Sequence, residues 1–167
     1  DGVLQLSFLS ASLSYDGRDN FITPGRGVSA GIDLTLSEER IGSDANYMAV
    51  DGKLSFFHPL PFSIPLTLAT NIRSAAAWAY SGTSEVPISQ RFFLGGQSTV
   101  RGFRENSLGP KGSAGNPTGG DLLLLNNIEL KYQATESIEI AGFLDSGGIY
   151  FLDQHLSFGD LRKSAGF

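Results

Sequence analysis

The feature that most constrains this chain is a strict alternation of apolar and polar residues that returns in six separate segments. Residues 7–15 set Leu9, Ala11, Leu13 and Tyr15 against Ser10, Ser12 and Ser14. Residues 27–36 set Val28, Ala30, Ile32, Leu34 and Leu36 against Ser29, Gly31, Asp33 and Thr35. Residues 47–58 separate Met48, Val50, Leu54 and Phe56 from Asp51, Lys53 and Ser55. Residues 66–80 separate Leu66, Leu68, Ile72, Trp78 and Tyr80 from Thr67, Asn71 and Arg73. In residues 121–133, Leu122, Leu124, Ile128, Leu130 and Tyr132 oppose Asn127, Glu129, Lys131 and Gln133. In residues 138–145, Ile138, Ile140 and Leu144 oppose Glu139 and Asp145. Successive side chains of a strand point to opposite faces, so a period of two predicts strands with one apolar and one polar face, not helices.

Three architectures share this pattern: a soluble β-sandwich, a soluble barrel of the lipocalin kind, and a transmembrane barrel. Sandwich strands typically run about 5–6 residues, and tilted strands that cross a bilayer run about 9–11. The segments here run about eight to fifteen. Connections 16–26, 59–65 and 134–137 are mostly shorter than connections 37–46, 81–120 and 146–162. Short turns on one side and long loops on the other predict an outer-membrane barrel with apolar residues toward lipid and polar ones toward a wet lumen. Trp78 and Tyr80 end the fourth segment where an aromatic girdle would lie, although ordinary strand aromatics explain them equally well. The unbroken apolar runs, such as residues 75–80 and the leucines at 122–125, are far below the ~20 residues of a membrane-spanning helix.

Composition narrows the function. A net charge of −5 argues against nucleic acid as the main partner. There is no cysteine, and the two histidines, His58 and His155, are too far apart to suggest a metal cluster, so neither a metal nor a cofactor is expected. No serine lies in G-x-S-x-G, and no histidine stands in a plausible relation to one, so no catalysis is expected. Glu129 and Glu139 could form a paired-carboxylate site, but Lys131 beside them favours a lumen charge network. Gly95 and Gly96 are not followed by the Lys-Ser/Thr of a phosphate-binding loop. The opening DGVLQLSF lacks the basic and apolar regions of a signal peptide, and residues 164–167 read as the start of a strand. One domain over 1–167 is expected, as a piece of a longer protein.

The long loop carries the most concentrated chemistry. Residues 91–104 read RFFLGGQSTVRGFR, a lone arginine, Arg101, between Val100 and Gly102, with Phe103 following. Such an arginine calls for a carboxylate, and Asp145 is available. Phe92, Phe93 and Phe103 are read as packing for the loop, with a peptide-binding strip as the other possibility. Asp16, Arg18 and Asp19 crowd a short turn; the arginine between the two carboxylates argues for a turn network over a metal site, with Pro24 and Gly25 supplying the reversal.

Three motifs give these segments a family resemblance. SYDGRDNFITPGRG at 14–27, RFFLGGQSTVRGF at 91–103 followed by SLGPK at 107–111, and FLDSGG at 143–148 are similar to motifs of the BamA/TamA superfamily of outer-membrane assembly proteins, the bacterial surface antigen barrel. The resemblance implies an all-β antiparallel meander, six strands of a larger sixteen-stranded barrel, with a long loop over about 81–120 folded into the lumen. It implies a loop-to-barrel brace: Arg101 on Asp145 and stacked on Phe143, supported by Val100, Phe103 and Gly147, with Gly102 letting the loop approach the wall. It implies a factor that inserts unfolded β-barrel clients into the bilayer of a bacterial outer membrane by lateral strand addition, without ATP, with accessory subunits reached through upstream POTRA domains. An organellar outer membrane is the less favoured setting. A two-partner-secretion transporter, which shares the VRGF loop, is the alternative, and a surface adhesin is a third reading.

Overall fold

The computed structural model describes residues 4–135, 138–153 and 158–167. Seven strands form one antiparallel sheet in chain order: β1 (Phe8–Asp16), β2 (Gly27–Ser37), β3 (Tyr47–Pro59), β4 (Leu66–Ala79), β5 (Leu122–Thr135), β6 (Ile138–Tyr150) and β7 (Arg162–Gly166). The meander is the one the alternation predicts, with two differences. The sixth strand continues past residue 145 to Tyr150, through Ser146, Gly147 and Gly148, where weak strand formers hide it. The strand expected to start at residue 164 begins two residues earlier, at Arg162, and pairs with it, Asp145 opposite Ser164 and Gly147 opposite Arg162. Gly148 therefore lies inside a strand. His155 lies outside the described residues.

The register sorts the side chains. One row runs Ser55, Asn71, Asn127, Asp145, Ser164 across β3 to β7, and directly opposed residues share a face. On the other face Leu9, Leu13, Ile32, Leu34, Leu54, Phe56, Ile72, Trp78, Ile128, Leu130, Ile140 and Leu144 are all exposed. Apolar residues outward and polar residues inward is the reverse of a water-soluble sheet packed on a core, and is the distribution of a wall facing lipid. Trp78 is part of this outward band. Tyr80, just past β4, is half-buried, and its hydroxyl donates to the Ser37 carbonyl.

The core lies on the inner face, under the β4–β5 loop. This loop contains a 3-10 turn, Ile88–Gln90, and then doubles back through the bridges Phe92 with Gly120, Leu94 with Leu108, and Lys111 with Pro117. Alternation fails at residues 122–125, where four leucines follow one another. Leu122 and Leu124 take the outward face; Leu123 and Leu125 face inward and would be stranded in a wet lumen. Leu94, Val100 and Leu108 cover them, together with Ala75 and Ile149, in a buried cluster against which Phe92 and Phe103 pack. Ala75 and Ala77, both buried, keep this part of the wall shallow enough to receive the loop. Each fully buried Leu or Val contributes about 1.5–3 kcal/mol, so three such residues hold the loop even before any charge is counted.

Below the loop the inner face is ionic. Ser12 donates to Asp33 (2.7 Å), Lys53 to Asp33 (3.3 Å), and Arg73 grips Asp51 through Nε and Nη2 (3.1 and 2.6 Å). These pairs are partly solvated, so each adds no more than about 1 kcal/mol.

Candidate functional site

Arg101 reaches the inner wall from the tip of the infolded loop. Its Nε donates to Asp145 Oδ2 (2.7 Å), its Nη2 to Asp145 Oδ1 (2.6 Å), and its Nη1 to Glu129 Oε1 (2.6 Å). The Arg101 backbone N–H donates to Asp145 Oδ2 as well (3.0 Å), so the carboxylate holds both the side chain and the main chain of the same residue. The guanidinium carbon lies 3.8 Å from the centre of the Phe143 ring. This is the bidentate, charge-assisted geometry that a planar guanidinium makes and an ammonium cannot. Its hydrogen bonds to Asp145, then to Glu129, raise the Arg101 guanidinium above its ordinary value against the opposing effect of desolvation, so it remains charged throughout.

Asp145 is wholly buried, and a buried carboxylate is costly unless its oxygens are satisfied. Arg101 supplies three of its hydrogen bonds. Asn127, directly opposite it on β5, supplies a fourth from Nδ2 to Oδ1 (2.8 Å). The same Nδ2 donates to the Thr99 carbonyl (2.7 Å), so Asn127 ties the loop backbone to the carboxylate. Thr99 in turn accepts the Gly95 N–H on its Oγ1 (3.0 Å), closing the turn before the arginine.

Two glycines serve differently from the expectation. Gly102 was expected to allow close approach, but a Cβ there would meet only Ser164 Cβ at an ordinary 3.9 Å; what requires glycine is its φ of +84°. Close approach occurs at Gly147. A Cβ on this residue would meet Leu94 Cδ2 at 2.7 Å and Val100 Cγ2 at 3.0 Å. The strand has no side chain where the loop lies down.

Sequence reasoning brought Arg101, Asp145 and Phe143 to one face, and the structure places them in contact, with Val100 fully buried and Phe103 half-buried beside them. It missed Glu129 as a partner of Arg101, and Asn127 and Leu94 altogether. The expected network of Glu129, Glu139 and Lys131 divides: Lys131 pairs with Glu139 (3.0 Å), and Glu129, opposite Phe143 in the register, turns to Arg101. Parity marked all these residues as inward; only the register shows which are neighbours. Phe93 lies close to Gly119, within the loop itself. A polar cavity of about 300 Å³ adjoins the clamp, with Lys53, Arg73, Gln97 and Thr99 in its lining. The arrangement suits holding, since its carboxylates are taken up by a cation and by amide donors.

At the opposite end, the β1–β2 turn is closed by its own side chains. Arg18 grips Asp16 through Nε (2.9 Å) and Nη2 (2.6 Å) and lies over Phe21. Asp19 Oδ1 accepts the N–H groups of Gly25 and Arg26 (3.0 and 3.1 Å). The Arg26 N–H first, and the Gly25 N–H after it, hold the Asp19 carboxyl below its ordinary value.

The chain is similar to known proteins. The chain is 30% identical over 93 residues to the outer membrane protein assembly factor BamA of Neisseria meningitidis, covering 56% of this chain and 11% of that protein. It is 30% identical over 128 residues to the sorting and assembly machinery component 50 homolog of Bos taurus, covering 74% of this chain and 25% of that protein. The crystal structure of BamA from Haemophilus ducreyi lacking POTRA domains 1-3 superposes with a TM-score of 0.81 at 26% identity, covering 95% of this chain and 35% of that one. The chain thus spans a quarter or less of the length of these two curated relatives. The model of the Omp85 superfamily domain matches residues 1–166, and on that match, with the barrel wall and infolded loop described above, the chain belongs to the Omp85 superfamily.

Proposed function

We propose that the protein is an outer-membrane assembly factor that inserts client β-barrels into the bilayer, and that this segment is its internal brace. The observation that carries the reading is the clamp itself: one loop arginine held by Asp145 and Glu129 on two adjacent wall strands and capped by Phe143 on the strand of Asp145. A brace of this kind keeps three elements in register while a seam elsewhere in the barrel opens. The family match and the assembly-factor names of the relatives support the role. Clients would join by main-chain pairing at the open seam, a form of β-augmentation, and would need no ATP because folding in lipid is downhill. The action is non-enzymatic. The partners would be the lipid bilayer, unfolded outer-membrane proteins, and accessory subunits reached through POTRA domains of the kind the Haemophilus ducreyi protein carries. The open edges of β1 and β7, which lipid does not tolerate, would be completed by further strands. A bacterial outer membrane is the proposed setting, and the Bos taurus match favours an organellar one as the second choice.

The test is client assembly by the full-length protein in liposomes. Arg101→Ala should lower both the yield of folded client and the heat-modifiable stability of the barrel; unchanged values of both would overturn the brace. The polar cavity beside the loop supports a second reading, a polypeptide-translocating barrel of the two-partner-secretion kind. A sustained open conductance of the full-length protein in planar bilayers would favour it.

A further inference from the structure

The loop lies along the whole second half of one strand. The inward positions of β6 from residue 143 onward are Phe143, Asp145, Gly147 and Ile149, and each meets the loop. Phe143 and Asp145 take Arg101, and Gly147 lies under Leu94 and Val100. Ile149 fits where the loop has no side chains. A Cβ on Gly109 would lie 2.7 Å from Ile149 Cβ, and one on Gly120 would lie 2.6 Å from Ile149 Cγ2 and 2.4 Å from the Tyr150 carbonyl oxygen. One residue past the strand end, Phe151 meets a second loop arginine, Arg91, whose guanidinium carbon is 5.3 Å from the ring centre. The loop therefore has an arginine over a phenylalanine at each end: Arg101 at its tip and Arg91 at its base. The two rings are eight residues apart, about 26 Å of extended chain at ~3.3 Å per residue.

Arg91 opens the RFFLGG motif, and the Arg101 clamp leaves it without a role. Its side chain is 9% exposed, against 24% for Arg101, and a buried guanidinium is costly unless it is held. Its Nε donates to the Val86 carbonyl (2.8 Å) and its Nη2 to Glu85. Glu85 is 74% exposed, so its carboxylate is solvated and contributes little. Both partners belong to the loop, so these hydrogen bonds fold residues 85–91 onto themselves and do not attach them to β6. The attachment comes from the Phe151 face, within the ~6 Å over which a cation–π contact acts. The next residue, Phe92, exchanges both main-chain hydrogen bonds with Gly120 (2.8 and 3.1 Å), and Asp121 donates to the Tyr150 carbonyl (3.0 Å). The two legs of the loop base are therefore joined directly beside Arg91. We propose that Arg91 is a second positioning residue: stacked on Phe151, it fixes the base of the loop, and so how far along β6 the loop is inserted, while Arg101 fixes the tip. The proposal deepens the brace reading and rests on it for its consequence in assembly.

The experiment uses the full-length protein carrying Val86→Cys, since Val86 is buried in the folded base. In micelles, Arg91→Ala should speed maleimide labelling of the introduced thiol about tenfold, the change that ~1.4 kcal/mol makes, while the heat-modifiable fold persists. Phe151→Leu should do the same and Phe151→Trp should not, because an indole keeps the π face and a leucine keeps only apolar bulk. Arg91→Ala combined with Phe151→Leu should label no faster than either alone. Client assembly in liposomes should slow in Arg91→Ala and Phe151→Leu and be retained in Phe151→Trp. Equal protection of position 86 in wild type and Arg91→Ala would overturn the anchor, as would equal labelling with Leu and Trp at position 151. Labelling that follows the expected order with client assembly unchanged in every variant would overturn the positioning role. A wild type that assembles no client would overturn the proposed function and the positioning role with it, while the labelling still decides the anchor.

Discussion

Arg101 is the residue on which the loop is aligned, and its replacement removes more than a contact. Arg101→Ala leaves Asp145 buried with only Asn127 to satisfy it. Breaking a buried pair costs about 3–5 kcal/mol. Because the Arg101 side chain is 24% exposed, the lower end of that range is expected in the urea midpoint of the full-length barrel in micelles. Arg101→Lys should recover little, because a point charge loses the two-pronged grip and the stacking on Phe143. Asn127→Asp sets a carboxylate against Asp145 at hydrogen-bond distance. It should destabilise more than Asn127→Ala, and the excess should vanish in an Asp145→Asn background, which a double-mutant cycle would register. At the other end of the sheet, Asp19 gives a pH dependence. Its folded pKa is depressed by the Arg26 and Gly25 amides, so its contribution is present above its ordinary value of 3.8 and is lost as pH falls through the lower folded value. Protection of the Gly25 and Arg26 amides against hydrogen exchange, relative to the intrinsic rate at each pH, should fall on acidification below the usual carboxylate range, and in Asp19→Ala it should be lost at neutral pH already.

The loop as an element is held mainly by apolar burial. Leu94 and Val100 are fully buried against β5 and β6, and Leu94→Ala should cost about 2–5 kcal/mol, comparable to the arginine itself. The two losses should differ in kind. Leu94→Ala should expose the loop to protease in intact vesicles, whereas Arg101→Ala should leave it docked but out of register. Gly147→Val should displace the loop, since its side chain would occupy the space of Leu94 and Val100. This division was half legible in the sequence. Alternation marked six strands and their faces because lipid on one side and water on the other impose a period of two. The VRGF motif with its following F-x-D marked Arg101, Asp145 and Phe143. The apolar seat was not foreseen, although the four leucines at 122–125 announced it: a strand apolar on both faces must be covered on both. Glu129 and Asn127 were missed because parity gives the face and not the register. The last five residues of β6 were missed because its glycine pair weakens the strand signal, and one of the pair, Gly147, is the residue that admits the loop.

For the whole molecule, one sheet separates two surroundings. The outer face is mainly apolar, with His58, Thr70, Ser74, Asn126, Ser146 and Lys163 as its polar residues; the inner face is ionic except where the loop covers it. The sheet has no second layer of its own, so the infolded loop supplies the packing that a sandwich would obtain from a facing sheet. On the proposed brace reading, such a wall keeps its curvature and register only while the loop remains inside. The measurement that tests this most directly is a cysteine pair, compared with each single cysteine, since this segment has no cysteine of its own. A Cβ at position 102 would lie 3.9 Å from Ser164 Cβ, within the usual Cβ separation of a disulfide of about 3.5–4.5 Å. Full-length Gly102→Cys with Ser164→Cys, expressed in the native membrane, should oxidise and shift in non-reducing gels, at a cost in stability because residue 102 has a φ of +84°. Two free thiols, both labelled by a membrane-impermeant maleimide, would show that the loop lies outside the lumen and would contradict the account.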